Sequence, residues 1–282
     1  MNRSIYDFAN RVTFAEFAAA TRATIQAIAN RTDDIPRSTV ITVDAKGGQT
    51  ASICYHAYLD ELCVSLPSQD PDAIMSGAAA RRLLAFVLHE TLHALYTNME
   101  CLSENILQTA LDYSVDKREL SSVGNCLEDY YIERVATDPA SPITGAAADL
   151  LGFLNSELFT VQTAKNAAGA EPLKAAQNLI LHGINRHGRQ TSDTLGQAYA
   201  EAINSTDPAV KTVVDSFLDE LDVEADCKKC SDGRRRSHCK RLECAARLIL
   251  AVRALEPKQE QEQGDQQEQG DQQEQEQGDQ QE

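Results

Sequence analysis

"LAFVLHETLHALYTN", Leu84 to Asn98, contains the pattern His-Glu-x-x-His as His89, Glu90 and His93. On an α-helix, residues i and i+4 lie on one face, one turn apart. His89 and His93 can therefore face one metal ion together. Glu90, one step round, can reach a water held on that ion. The flanks "LAFVL" and "ALY" are apolar, and the open positions Thr91 and Leu92 are uncharged. This is the composition of a central, buried helix, whose polar residues need partners or a task. Zinc lowers the pKa of a bound water from about 15.7 to roughly 7, and a neighbouring Glu can take the proton as the water attacks a carbonyl. The competing reading is an ordinary core helix with satisfied histidines.

A catalytic zinc of this kind takes a third protein ligand. The other histidines are His56, His182, His187 and His238, and none follows His93 at short spacing, where Ala94 to Met99 stand. A carboxylate on a later helix is expected instead. "GNCLEDYYIERV", Gly124 to Val135, supplies Glu128, Asp129 and Glu133, with Asn125, Glu128, Asp129 and Ile132 on neighbouring positions of one helical face. Glu128 reads as the third ligand. Asp129 and Glu133 read as groups behind it that hold the ligands by hydrogen bonds. The alternative is a solvated acidic face, or a pair with Arg134.

Outward from these motifs, the chain of 282 residues is long enough for one large domain or two small ones. From Gln259 to Glu282 only Gln, Glu, Asp and Gly occur, so this stretch can bury no core and reads as a disordered tail. The net charge is −17, and nine of the acidic residues sit in that tail, which leaves −8 on residues 1–258. An acidic body argues against nucleic acid as a partner, although "GRRRSHCKR" (233–241) is locally basic. The N-terminus "MNRSIYDFANRVTFAEF" lacks the apolar run of a secretory signal, and no stretch has the length of a membrane span. The sequence thus reads as soluble and cytoplasmic, with no membrane partner.

Apolar spacing predicts a helix over 5–30. Short β-branched runs at 38–44, 50–57 and 61–67 predict a small, mostly antiparallel sheet of three strands. Helices are expected at 76–97, 103–117, 123–136, 144–164, 171–186, 193–204 and 208–222, with a last one reaching about Leu255. This order is an α+β fold, mostly helical, with the sheet packed on one side of a helical body. Three segments follow: residues 1–226 as the main domain, 227–258 as a cysteine-rich knuckle with the last helix, and 259–282 as the tail. In "CKKCSDGRRRSHCKRLEC", Cys227, Cys230, Cys239 and Cys244 have the makings of a four-thiolate structural zinc site, with His238 able to replace one thiol. Two unrelated cysteine pairs are the alternative. Cys54, Cys63, Cys101 and Cys126 read as buried thiols. Candidates for stabilising an oxyanion are His182, His187, Tyr130 and Tyr131.

Three stretches in order resemble a known family: a strand ending in Leu66-Pro67, then "LHETLHALYTNME" (88–100), then "NCLEDYYIER" (125–134). The family is that of phage and bacterial proteins similar to the T subunit of cobaltochelatase. Its pattern is His-Glu-x-x-His, then Thr-Asp-Phe, then Asn-x-Leu-Glu-Asp-x-Arg-Ile-Glu. Here Thr97-Asn98-Met99 stands at the second spot, and Tyr131 where the family has Arg. The likeness covers roughly residues 38–160. It implies a zincin-like, gluzincin-type site with His89, His93 and Glu128 as ligands and Glu90 as base. It also gives the Gln/Glu/Asp/Gly tract the look of the family's linker to a von Willebrand factor A domain. No Asp-x-Ser-x-Ser motif occurs in these residues, so that domain is not expected among them. The function expected is zinc-dependent hydrolysis of a peptide or protein substrate, in host cytoplasm for a phage-encoded member. The alternative is a non-catalytic, zinc-containing scaffold or chelatase-like subunit that partners an AAA+ ATPase.

Overall fold

A computed structural model describes residues 12–29, 40–47, 52–56, 61–67, 69–97, 102–141, 143–166, 170–226 and 233–255. The chain opens with β1 (Val12–Thr13) and α1 (Phe14–Ala29), then the strands β2 (Val40–Gly47), β3 (Ser52–His56), β4 (Glu61–Pro67) and β5 (Ile74–Met75). Helices follow: α2 (Gly77–Tyr96), α3 (Leu102–Tyr113), α4 (Lys117–Ala136), α5 (Thr144–Leu158), α6 (Val161–Asn166), α7 (Pro172–His182), α8 (Asp193–Ser205), α9 (Pro208–Asp226) and α10 (Gly233–Arg253). A 3-10 turn, Gly183–Asn185, extends α7. The fold is α+β and mostly helical. No helix among the described residues is long and apolar enough to cross a membrane.

The three expected strands form, but their pairing corrects the expectation of a mostly antiparallel sheet. The order is β2-β4-β3. β3 pairs antiparallel with β4, Ser52 opposite Ser65, while β2 pairs parallel with β4, Val40 opposite Glu61. Two reversals of direction make the first and third strands parallel, and with β4 in the middle they become neighbours. Alternation in sequence marks a strand but not its neighbour. On β4 the period of two is kept, with Val64 and Leu66 buried and Cys63 and Ser65 half-buried. A second, two-stranded sheet joins β1 to β5 antiparallel.

Helix boundaries follow from caps. Ser76 Oγ accepts a hydrogen bond from Ala79 N at 3.2 Å and starts α2. Asp116 accepts from the backbone N of Arg118 and Glu119 at 2.8 and 3.0 Å, so α4 begins before the 123 expected from apolar spacing. The single helix expected over 144–164 is broken at Phe159-Thr160. There Thr160 Oγ1 accepts from Thr163 N at 3.2 Å, and Thr163 Oγ1 accepts from Thr160 N at 2.8 Å, a reciprocal cap that starts α6.

Two apolar cores result. One packs Phe14 and Phe17 of α1, Val64 and Leu66 of β4, Leu88, Leu92 and Leu95 of α2, and Leu151 and Leu154 of α5. The other joins α3, α4, α7, α9 and α10. α4 belongs to both, with Ile132 and Ala136 in the first and Leu120, Val123, Leu127 and Tyr130 in the second. It is therefore buried nearly all round, although it is rich in charge.

The last helix is not part of a separate knuckle, which corrects the expected division at 226/227. α10 packs on α3, α4, α7 and α9, with Leu242, Cys244, Ala245, Leu248, Ile249 and Val252 in the second core. Gly124 of α4 allows the close approach, since a Cβ there would lie 3.1 Å from Leu242 Cδ2. Residues 227–232 and 256–282, with Cys227, Cys230 and the acidic tail, lie outside the described residues.

If α10 is integral to the body, Leu248→Ala lowers the unfolding free energy of the whole protein by about 2–5 kcal/mol. Urea denaturation followed at α-helical ellipticity checks it. A midpoint unchanged from wild type would mean that α10 folds as an appendage.

Candidate metal centre

His89 and His93, one turn apart on α2, put their rings edge to face at 5.0 Å between centroids. Opposite them stands Asp129 of α4. Its Oδ1 lies 3.1 Å from His93 Nε2 and 3.5 Å from His89 Nε2. One ligand atom from each of the three residues lies within 4.8 Å of the others, close enough to share one ion. Among the described residues, this is the one such group of metal-ligating side chains.

The far side of each imidazole is held. His89 Nδ1 is 3.0 Å from Glu133 Oε1. The other oxygen of Glu133 accepts from Asn155 Nδ2 at 2.6 Å and from Gln190 Nε2 at 2.7 Å. His93 Nδ1 is 3.2 Å from Thr97 Oγ1, which donates its own proton to Glu128 Oε1 at 2.5 Å. Partners on both Nδ1 atoms turn both Nε2 atoms toward Asp129. Asp129 Oδ1 is buried and, among the described residues, has no partner other than the two imidazoles that face it. A buried carboxylate oxygen facing two imidazole nitrogens is a place for a cation.

The electrostatics point the same way. Burial alone would push the His89 imidazole down, but Asp129 and Glu133 outweigh it and hold it well above its ordinary value. Burial would push the Asp129 carboxyl up, and the two histidines outweigh that and hold it below its ordinary value.

Glu128 was the expected third ligand, and its geometry corrects that expectation. It lines the same lobe as the histidine pair, but it is not in the group of ligand atoms that could share an ion, and its oxygens are already engaged. Arg241 of α10 donates to both of its oxygens, Nε to Oε2 at 2.6 Å and an Nη to Oε1 at 2.7 Å. His238 Nδ1 lies 3.3 Å from Oε2. Arg241 also donates to the carbonyl of Tyr96 at 2.9 Å and lies over the Tyr131 ring at 3.9 Å. Burial pushes the Glu128 carboxyl up, but Arg241 and His238 more than reverse this and keep it ionised. Glu128 and Asp129 are adjacent on α4 and so point about 100° apart. Asp129 meets the histidines, and Glu128 is engaged by the guanidinium. Asp129, expected behind the ligands, stands at the ion position. Glu133 stands behind His89, where it was expected.

Glu90 is half-buried on the wall between two lobes of one cleft. The first, about 250 Å³, is lined by His89, Glu90, His93, Asp129 and His238 among others. The second, about 180 Å³, shares His89, Glu90 and Asp129 but is walled by Phe86, Leu154, Leu158, Phe159 and Ile184.

The expected oxyanion groups are elsewhere. His182 is buried between the Asn178 carbonyl at 2.9 Å and Thr163 Oγ1 at 3.2 Å. His187 pairs with Asp222 at 2.7 Å, and Tyr130 donates to Asp222 at 2.8 Å. Tyr131 carries Arg241 on its face. None of the four lines either lobe. Of the cysteine set, Cys244 is buried in the second core and Cys239 is half-buried on the same helix. Cys126 is a buried thiol, pushed up to about 12 by burial. Cys63 is only half-buried, Cys101 lies outside the described residues, and the side chain of Cys54 does too.

No family model, curated protein or solved structure matches the chain.

The exchanged roles of the two neighbouring carboxylates separate experimentally. Asp129→Asn should lose metal while keeping the melting temperature of the metal-free protein. Glu128→Gln should cost about 3–5 kcal/mol, because it leaves Arg241 buried without its charge partner. Since the Glu128 carboxyl is depressed in the fold, its contribution is complete above the ordinary carboxylate range and is lost as pH falls through the folded value. Thermal melts at neutral and acid pH should therefore converge for wild type and Glu128→Gln as the pH drops. Equal loss of metal in both variants at unchanged stability would reverse the assignment.

Proposed function

We propose that the chain is a zinc-dependent, zincin-like hydrolase acting on a peptide or related amide bond. His89, His93 and Asp129 hold the ion and Glu90 serves as general base. What supports the reading above all is Asp129 Oδ1, a buried oxygen with no partner among the described residues other than the two histidine nitrogens it faces. Two nitrogens and one carboxylate oxygen are a donor set that suits zinc and leaves a coordination position open. When bound, zinc would supply a Lewis acid that acidifies water and polarises a carbonyl.

The chain's own residues do the rest. Glu133, clamped by Asn155 and Gln190, keeps His89 from rotating. Thr97 passes the hold of Glu128 on to His93. Ligands fixed in this way need no reorganisation when the ion arrives. Glu90 follows His89 directly and so points about 100° from it on the helix. That puts its carboxylate beside the histidine pair, where it can take a proton from a nucleophilic water and return it to a leaving nitrogen. The apolar lobe beside Glu90 fits a substrate side chain of the Leu or Phe kind.

The scaffold reading, in which zinc only holds the fold for an ATPase partner, is separated by one pair of variants. Glu90→Gln keeps size and removes the base, so metal content and folding should survive while hydrolysis falls about 10²–10⁴-fold. His93→Ala should lose the metal. The readouts are metal analysis and cleavage of a peptide library. Biological activity that survives Glu90→Gln but not His93→Ala would favour the scaffold.

A further inference from the structure

His238 is the polar residue of the cleft that neither the ion nor the base accounts for. It comes from α10, is 3% exposed, and lines the same lobe as His89, Glu90, His93 and Asp129. Its Nε2 is buried without a hydrogen-bond partner among the described residues. It does not belong to the group whose ligand atoms lie mutually within 4.8 Å, so it stands beside the ion position rather than in it. Its ring is not free to turn. Nδ1 is directed at Glu128 Oε2 at 3.3 Å, and Glu128 is fixed in turn by two bonds from Arg241.

A buried imidazole nitrogen left open costs free energy comparable to a lost hydrogen bond. Such an atom, on a residue that lines the cleft and is held by a locked carboxylate, calls for a ligand. We propose that His238 is a substrate-contacting residue, whose Nε2 hydrogen-bonds to the molecule occupying the open position beside His89, His93 and Asp129. This rests on the metal reading above. The partner of Nδ1 decides the chemistry. An ionised carboxylate can only accept, so in the neutral imidazole, the form this proposal assigns to His238, the proton sits on Nδ1 and Nε2 is left as an acceptor. The matching ligand then carries a metal-binding oxygen with an N–H next to it. An amide has this arrangement, and a carboxylate or phosphate does not. His238 thus selects for amides over esters and simple anions.

The test uses the full chain loaded with zinc, and two small probes. Acetohydroxamate binds a metal through oxygen and keeps an adjacent N–H, whereas N-methylacetohydroxamate lacks it. Calorimetric titration of the wild type should give at least tenfold tighter binding of the first. His238→Ala should bring the two affinities together by weakening acetohydroxamate about tenfold, the worth of one hydrogen bond at roughly 1.4 kcal/mol. His238→Gln, which retains an acceptor, should restore part of the difference and guards against a misfolded alanine variant. Metal content is measured on every sample. A wild type without bound zinc would bring down the metal reading, and this proposal with it. Zinc retained, with both probes bound equally by wild type or equally discriminated by wild type and His238→Ala, would overturn the role of His238 alone.

Discussion

Glu128 carries a charge into the interior, and the site takes its shape from how that charge is met. A buried, unpaired carboxylate would be intolerable, and an ion pair in the interior is at best about neutral for stability against an apolar replacement. What such a pair does supply is register. Arg241 reaches Glu128 with two parallel hydrogen bonds, caps the end of α2 at the Tyr96 carbonyl and lies flat on Tyr131. A guanidinium satisfied in this way has one position only. It fixes where α10 crosses α4, and so where His238, three residues before it, stands in the cleft wall.

The same carboxylate orients two of the three histidines. Through Thr97 it sets His93, and directly it sets His238. The third, His89, depends on Glu133, one turn further along α4. α4 therefore works as a rack of carboxylates. Glu128 and Glu133 each stand behind histidines, and Asp129, between them in sequence, faces the ion position. This needs the second half of α4, from Cys126 on, to be kept from solvent, because a wet carboxylate would not hold an imidazole in one rotamer. The two apolar cores on either side of α4 provide that dryness. Arg134, also on α4, is matched against Asp138 and Asp222, and Tyr130 donates to Asp222.

Much of this was legible in the sequence, and the failures have a common cause. Periodicity located α2 and the helix that answers it, and spacing alone put His89 and His93 on one face. That α4 would answer with carboxylates was also readable. Which carboxylate would do so was not. Glu128 and Asp129 are neighbours, and the choice between them is made by Arg241, more than a hundred residues away. A run of arginines after a cysteine pair looks like a solvated knuckle when read locally. Asn155 left a weak trace, a lone amide in the apolar "LGFLNSEL". Gln190, in the loop before α8, left none. Strand order failed for a similar reason, since alternation states which face is buried and not which strand lies alongside.

The distribution of these contacts along the chain bears on assembly. α2 and α4 bring His89, His93, Asp129 and Glu133 together within fewer than fifty residues, so the ion position is a local construction. The hold on His93 is not, because it depends on Glu128 being ionised in a dry place, and that depends on α10. Without Arg241, protonation would be the cheapest relief for Glu128. Its bond from Thr97 would weaken and His93 would lose its orientation. An ion position formed early would then remain loosely set until the last helix docks, and docking delivers the guanidinium and His238 in one step. On the proposed metal reading, affinity for the ion and an intact cleft are in this way tied to completion of the fold from its C-terminal helix.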